Sequence, residues 1–89
     1  MIRRRVVVHG LVQGVFFRDT LRRRALEAGV RGWVRNTWDG TVEAVLEGEP
    51  AAVERLVAFC REGPRGARVD SLEIEVEDPE GIAGFAIRG

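Results

Sequence analysis

Two groups of residues have types and spacing suited to binding chemistry. The first is the segment Gly10-Leu11-Val12-Gln13-Gly14-Val15-Phe16-Phe17-Arg18, hereafter the glycine loop. Gly14 can adopt a positive φ and so turn successive backbone N–H groups toward one point, which is how backbone nests bind anions. Arg18 adds a planar guanidinium that matches two phosphate oxygens. The second group is Asn36, whose amide can meet a ligand held by the loop.

Each of these residues also has an ordinary structural explanation, and spacing alone leaves both explanations open. Gly14 can serve a tight turn, and Asn36 can simply prepare the turn at Asp39-Gly40, since asparagine is common beside hairpins. His9 directly precedes the loop, but a residue there is more typical of a partly exposed strand end than of a general base.

Hydrophobic periodicity predicts the elements on either side of the loop. The Val6-Val7-Val8 run stops at Gly10, as a buried strand does. Apolar residues then recur at helical spacing over 17–28, with Gly29 as the stop signal. Asp19 falls in the first turn of this helix, where it complements the helix dipole and can pair with Arg22 or Arg23.

The second half reads as a hairpin, a helix and two strands. The hairpin spans 32–47 around Asp39-Gly40, and Pro50 opens a helix that ends near Gly63-Pro64. Cys60 shares a face of that helix with its apolar residues, which favours core packing over redox chemistry. A strand over 72–77 carries three glutamates on its outer face, and a short strand over 85–87 follows.

The order strand, helix, strand, strand, helix, strand predicts an α+β, ferredoxin-like βαββαβ sandwich. We expect an antiparallel sheet, two helices on one face and a short extra C-terminal strand. A crossover unit makes strands 1 and 2 parallel with strand 3 between them, so their C-terminal ends share one edge. The glycine loop and Asn36 then lie about 10 Å apart, two strand spacings, with room for a ligand between them.

Length and composition limit the class of protein. Eighty-nine residues with 45% hydrophobic content are enough for one core, so we expect a single domain over residues 1–89. No apolar run is long enough for a membrane span or a signal peptide core, which predicts no membrane partner and a cytoplasmic location.

Charge is unevenly distributed although the formal net charge is zero. Through Trp38 there are nine arginines and two carboxylates, and afterwards five arginines and twelve carboxylates. We therefore expect the N-terminal half to attract anions. The absence of lysine excludes Schiff-base and P-loop lysine mechanisms.

Ligand counting predicts no metal site. The chain has one histidine and one cysteine, and most of its carboxylates lie in the second half, away from the glycine loop. A catalytic zinc usually needs three protein ligands and a magnesium ion one or two carboxylates beside the phosphate. Only Asp19 lies near the loop.

Two segments of the chain resemble the signatures of a known family. The glycine loop resembles the acylphosphatase signature G-x-V-Q-G-V-x-F-R. Gly32-Trp33-Val34-Arg35-Asn36 followed by Asp39-Gly40-Thr41-Val42-Glu43 resembles the second signature of that family. The similarity runs essentially from end to end, including the closing Phe85-Ala86-Ile87-Arg88.

The resemblance implies a ferredoxin-like fold and hydrolysis of the carboxyl-phosphate bond of small acyl phosphates, releasing a carboxylate and inorganic phosphate without metal or organic cofactor. It places Arg18 at the position of the phosphate-binding arginine and Asn36 at that of the asparagine that orients the attacking water. The positions of the phosphate cradle fall on the backbone amides of Val12, Gln13, Gly14, Val15 and Phe16.

Two other functions fit the predicted fold. An RNA recognition motif shares it, and residues 31–34 faintly resemble its aromatic strand, but Asp39-Gly40 interrupts the pattern and the zero net charge argues against nucleic acid. A phosphate-binding partner module, like the acylphosphatase-like domain that begins hydrogenase maturation proteins, is the other; a chain ending at Gly89 without an attached domain favours an enzyme. We expect a monomer.

Overall fold

The computed structural model describes residues 1–89 and contains five strands and two helices. Their order confirms the predicted sequence of elements. They are β1 (Ile2–Leu11), α1 (Phe17–Ala28), β2 (Arg31–Asn36), β3 (Val42–Gly48), α2 (Pro50–Glu62), β4 (Arg68–Glu77) and β5 (Phe85–Arg88). No helix is long and apolar enough to cross a membrane.

Strands β1 and β4 are longer than predicted because the hydrogen-bonded pairing between them continues beyond the predicted ends. Their antiparallel pairing continues past a register shift between His9 and Gly10, as far as Leu11 opposite Arg68. Gly10 is required at this irregularity: its φ is 134°, and a Cβ there would lie 2.1 Å from the carbonyl oxygen of Arg68. The start of β4 carries no alternating apolar pattern, so periodicity could not detect it.

The strand order is β4-β1-β3-β2-β5. As predicted, β3 lies between β1 and β2 and is antiparallel to both. The four strands of the ferredoxin-like core are antiparallel to their neighbours, as expected. Only the extra strand β5 departs from this pattern, since it pairs with β2 in parallel. Strand β4 ends at the end of the sheet where β2 begins. Residues 78–84 run along that end of the sheet from β4, one edge strand, to β5, the other. Strand β5 must then run in the direction of β2, and the sheet is mixed.

Both helices pack on one face of the sheet and form the core with it. Phe17 of α1 meets Phe59 of α2 with ring centroids 5.7 Å apart. Cys60 is fully buried in this core, and burial raises the pKa of its thiol to about 12, which confirms a packing role. Val6 and Val8 of β1 face the helices, and burying each such side chain contributes about 2 kcal/mol.

The opposite face, hereafter the open face, is held by ion pairs. Arg3 of β1 contacts Glu47 of β3 at 3.4 Å and Glu77 of β4 at 2.9 Å. Arg5, two residues on, pairs in the same way with Glu75 and with β3. The three glutamates predicted on the outer face of β4 are there; arginines of β1 pair with two of them, and His9 contacts Glu73.

Glu47 anchors the segment that leads to β5. Its carboxylate is fully buried and accepts hydrogen bonds from the backbone N–H groups of Glu80 (2.8 Å), Gly81 (2.8 Å) and Ile82 (3.2 Å). Burial alone would raise the pKa of Glu47, but these three donors and Arg3 hold that pKa below its ordinary value. The carboxylate therefore stays ionised and fixes the path of residues 78–84.

Candidate active site

The glycine loop and the end of β2 enclose a cleft of about 390 Å³. Five residues of the glycine loop line it together with Asn36, so the structure brings these parts of the predicted site together. Asp19, which the sequence placed near the loop, and Ile87, which had no sequence signal, complete the wall. The lining residues are Val12, Gly14, Phe16, Phe17, Arg18, Asp19, Asn36 and Ile87.

The loop bends through two left-handed residues. Gly14 has φ 76° and open space around it, so its conformation, and not a lack of room, is what requires glycine. Phe16 has φ 61° and is the only non-glycine residue with positive φ. That conformation costs a non-glycine residue on the order of 1–2 kcal/mol. Spacing alone predicted only the first of these two positions.

The loop amides have no backbone acceptors within the chain. Among the backbone hydrogen bonds outside the helices and strands, none is donated by residues 12–16. Helix α1 follows directly, and its N-cap, Phe16, makes no side-chain cap. The free N–H groups of the loop and of the first helical turn, together with the positive end of the helix dipole, are suited to bind an anion.

Arg18 is the cation of this site. Its side chain lines the cleft and has no carboxylate partner, because the neighbouring Asp19 lies 3.9 Å from Arg23 instead. This is one of the two pairings predicted for Asp19. The other candidate, Arg22, donates from Nε to the carbonyl oxygen of Phe85 at 3.1 Å and so ties α1 to β5.

Asn36 ends β2 with an unpartnered acceptor. Its Oδ1 is the one buried side-chain oxygen or nitrogen in the chain that has no hydrogen-bond partner. Leaving a buried acceptor unpaired costs about 1–3 kcal/mol, and such groups mark functional sites. The atom can accept a hydrogen bond from a donor that enters the cleft.

The side chain of Gln13 does not line the cleft. It reaches across to the turn after Asn36, where its Nε2 donates to the carbonyl oxygens of Thr37 at 2.7 Å and Thr41 at 3.0 Å. The bond therefore links the glycine loop directly to the segment that carries Asn36. Val15 is likewise turned away from the cleft and packs against the core. The predicted roles of these two residues rest on their backbone amides.

The turn that receives Gln13 is itself closed by hydrogen bonds. Thr41 donates to Asp39 from its backbone N–H at 3.3 Å and from its hydroxyl at 3.0 Å, and the Thr37 hydroxyl also donates to the same carboxylate. Hydrogen bonds from Thr37 and Thr41 lower the pKa of Asp39 below its ordinary value. Asp39 is thus a structural acceptor, and its role had no signal beyond the Asp-Gly turn.

His9 lies outside the cleft. Its Nε2 is 2.5 Å from a carboxylate oxygen of Glu73 on the open face, as expected for a partly exposed strand end. No group of three or more His, Cys, Asp and Glu side chains is placed to hold a metal ion.

Comparisons with known proteins agree on one family. A family model described as Acylphosphatase matches residues 4–87. The acylphosphatase of Haloarcula marismortui is 56% identical over 97% of this chain and 94% of that protein. The crystal structure of acylphosphatase from Bacillus subtilis superposes with a TM-score of 0.95 at 32% identity and covers 100% of both chains.

A larger protein contains a similar unit. Full-length HypF in the phosphate- and nucleotide-bound form matches with a TM-score of 0.91 at 25% identity, over 99% of this chain but only 12% of that one. The family model and the identity to curated relatives cover nearly the whole sequence. On this evidence the chain belongs to the acylphosphatase family.

Proposed function

We propose that the cleft of this acylphosphatase-family enzyme is its active site, where Arg18, Asn36 and the amides of residues 12–16 hydrolyse small acyl phosphates. One observation carries the assignment: Arg18, which has no carboxylate partner, and Asn36, whose buried amide oxygen is unpaired, line the same cleft. The buried oxygen of Asn36 is costly to leave unpaired, and a phosphate with an attacking water would partner both residues.

The phosphoryl group binds to the loop. Its oxygens accept hydrogen bonds from the free N–H groups of residues 12–16, while the Arg18 guanidinium donates a bidentate pair. Charge on these oxygens changes in the transition state, and donors already fixed in place stabilise it without reorganisation. The hydrogen bonds from Gln13 hold the loop in this shape against the Thr37 turn.

Water is the nucleophile. An O–H of the water donates to Asn36 Oδ1, which aims a lone pair of the water oxygen at phosphorus. The new P–O bond forms as the bond between phosphorus and the bridging oxygen breaks, and the carboxylate leaves with that electron pair. The proton of the water passes to a phosphate oxygen of the substrate, so inorganic phosphate is released. A carboxylate is a good leaving group and needs no protein acid.

A hydrolysis assay tests this proposal directly. Acetyl phosphate and benzoyl phosphate are incubated with the protein and with buffer alone, and inorganic phosphate is measured. Turnover well above the buffer rate is expected. A binding module would bind inorganic phosphate yet leave the rate of hydrolysis at the buffer value, and that result would contradict the proposal.

The same proposal includes a single domain over residues 1–89, a monomer, a cytoplasmic location and no metal or cofactor. These remain predictions. Light scattering after gel filtration reports the oligomeric state. Full activity after prolonged treatment with EDTA is expected; a loss that Mg²⁺ or Zn²⁺ reverses would mean that a metal takes part.

A further inference from the structure

We propose that Phe16 and Ile87 form an apolar wall that binds the acyl group of the substrate, so that the enzyme prefers neutral, hydrophobic acyl phosphates. This inference rests on the proposed function, because it requires the phosphoryl group to occupy the glycine loop. Three observations support it: the exposure of the Phe16 and Ile87 side chains, the left-handed backbone of Phe16, and the charges that line the cleft.

Phe16 and Ile87 are the two exposed hydrophobic residues of the cleft. Phe16 is 79% exposed and Ile87 is 42% exposed, and both line the cleft that contains Arg18 and Asn36. Single exposed hydrophobic residues are common on protein surfaces. Two that meet at one cleft from opposite ends of the chain form an apolar contact surface beside the phosphate site.

The ring of Phe16 has no other evident role. Its backbone adopts the left-handed conformation that glycine adopts without cost, so the main chain does not require phenylalanine there. The ring is mostly exposed, so it adds little to the core, and Phe16 makes no side-chain cap for α1. Contact with a ligand above the loop accounts for a phenyl group at this position.

Ile87 is held firmly in place. Strand β5 pairs with β2 so that Ile87 lies opposite Val34, and the hydrogen bond from Arg22 to Phe85 ties the same strand to α1. Glu47 fixes the segment before β5. The second half of the wall is therefore preorganised, which reduces the entropy lost when an acyl group binds.

The charges of the cleft select against anionic acyl groups. Arg18 and Asp19 are its only charged lining residues. With Arg18 engaged by phosphate, no cation of the wall is left for a second carboxylate, and Asp19 repels one. We therefore expect acyl groups without charge to be favoured over those that end in a carboxylate.

The first test uses the unmodified protein and four substrates: acetyl, butyryl, benzoyl and succinyl phosphate. Each kcat/KM is divided by the rate of spontaneous hydrolysis of the same compound, which removes differences in leaving group. Butyryl and benzoyl phosphate should exceed acetyl phosphate by about 3- to 10-fold, since an open wall discriminates less than the closed pockets that reach 10-fold or more per methylene. Succinyl phosphate should fall below butyryl phosphate.

The second test uses Phe16→Ala, Phe16→Gly and Ile87→Thr, with Val76→Thr as the matched control. Val76 is an exposed apolar residue at the far edge of the sheet, 76% exposed and outside the cleft. The ratio of benzoyl to acetyl kcat/KM should fall about threefold in each cleft variant. It should stay unchanged in the control. A ratio within one variant cancels any general loss of activity.

The outcomes separate this inference from the proposed function. A corrected series that is flat, or highest for succinyl phosphate, would overturn the apolar wall while leaving the hydrolase assignment intact. Absence of hydrolysis for all four compounds would overturn the proposed function itself. A change of ratio in Phe16→Gly but not in Phe16→Ala would assign the effect to the backbone and overturn the role of the ring. If a variant does not fold, the series on the unmodified protein decides.

Discussion

The arginines of the open face and the arginine of the cleft differ in whether the chain supplies their partners. Arg3 and Arg35 both pair with glutamates of β3. Arg18 lines the cleft and has no such partner. The contrast shows that the excess of arginines in the first half of the chain is not itself an anion-binding surface. Glutamates of the second half pair with three of these arginines. Among the arginines that have no carboxylate partner, Arg18 is the one that lines the cleft.

Breaking the most buried pair should have the largest effect. Glu47→Gln removes the charge that Arg3 and three backbone N–H groups share in a fully buried position. We expect a loss of about 3 kcal/mol in the free energy of unfolding, measured by urea denaturation. Glu75→Gln, which breaks an exposed pair on the same face, is the control and should change it by less than about 1 kcal/mol. Equal effects would mean that burial does not distinguish the pairs.

Lowering the pH tests the contribution of the buried glutamates in a second way. The pKa of Glu47 is lowered by folding, and so is that of Glu43, where hydrogen bonds from Arg35 and Arg5 outweigh the effect of burial. A lowered pKa stabilises the folded state above the ordinary pKa, 4.5, and this contribution disappears as pH falls through the folded value. Stability should be steady from neutral pH to about 5 and then fall. Glu47→Gln should make that fall shallower, and an unchanged slope would contradict it.

Removing the positive charge of Arg18 should lower activity and leave stability unchanged. Arg18→Gln should lower kcat/KM by at least about 100-fold and weaken inhibition by phosphate in parallel. Arg23→Gln, one turn further along α1 and exposed, should stay near the unmodified rate. Nearly normal turnover in a folded Arg18→Gln protein would remove Arg18 from the mechanism.

The unpaired oxygen of Asn36 gives the next contrast. Asn36→Ala should lower kcat by about 30- to 100-fold while inorganic phosphate inhibits with nearly normal affinity. Because the variant also removes a buried acceptor without a partner, its melting temperature should not fall. Equal losses in kcat and in phosphate affinity would mean instead that Asn36 shapes the loop.

Gln13 connects the glycine loop to the segment that carries Asn36. Its substitution should lower activity less than substitution of Arg18 or Asn36. Gln13→Leu keeps the volume of the side chain but cannot donate to Thr37 or Thr41. We expect kcat to fall about 10-fold and phosphate affinity to weaken by a few fold, because the loop and Asn36 then move independently. Gln13→Glu should not restore the rate, since a carboxylate faces two carbonyl oxygens. Kinetics with acetyl phosphate distinguish these outcomes.

The sequence predicted what depends on local spacing. Gly14 and Arg18 share one loop, and Asn36 ends a strand whose place follows from the crossover rule, so the site could be assembled before the fold was known. The parallel direction of β5 could not be predicted, because it depends on how residues 78–84 follow the sheet edge past Glu47. Ile87 was missed for the same reason.

Ion-pair partners and local backbone conformation also could not be predicted from the sequence. Periodicity places the glutamates of β4 on one face but does not say which arginines oppose them, since that requires the register of β1 against β4. The left-handed conformation of Phe16 had no signal, because phenylalanine rarely adopts it. The unpaired state of Asn36 Oδ1 is a property of the whole site and not of a motif.

The interior position of β1, between β4 and β3, has a consequence for how the chain folds. The strand made first during synthesis pairs with β4, and Arg3 meets Glu77 across 74 positions of sequence. Helix α1 and the β2–β3 hairpin need only local contacts. Strand β1 can pair with β3 by residue 48, but its pairing with β4 requires almost the entire chain. Long-range pairing of this kind slows folding, so we expect stopped-flow refolding in milliseconds to seconds. On the ribosome, the N-terminal strand should remain unpaired on its β4 side until the last quarter of the protein has emerged.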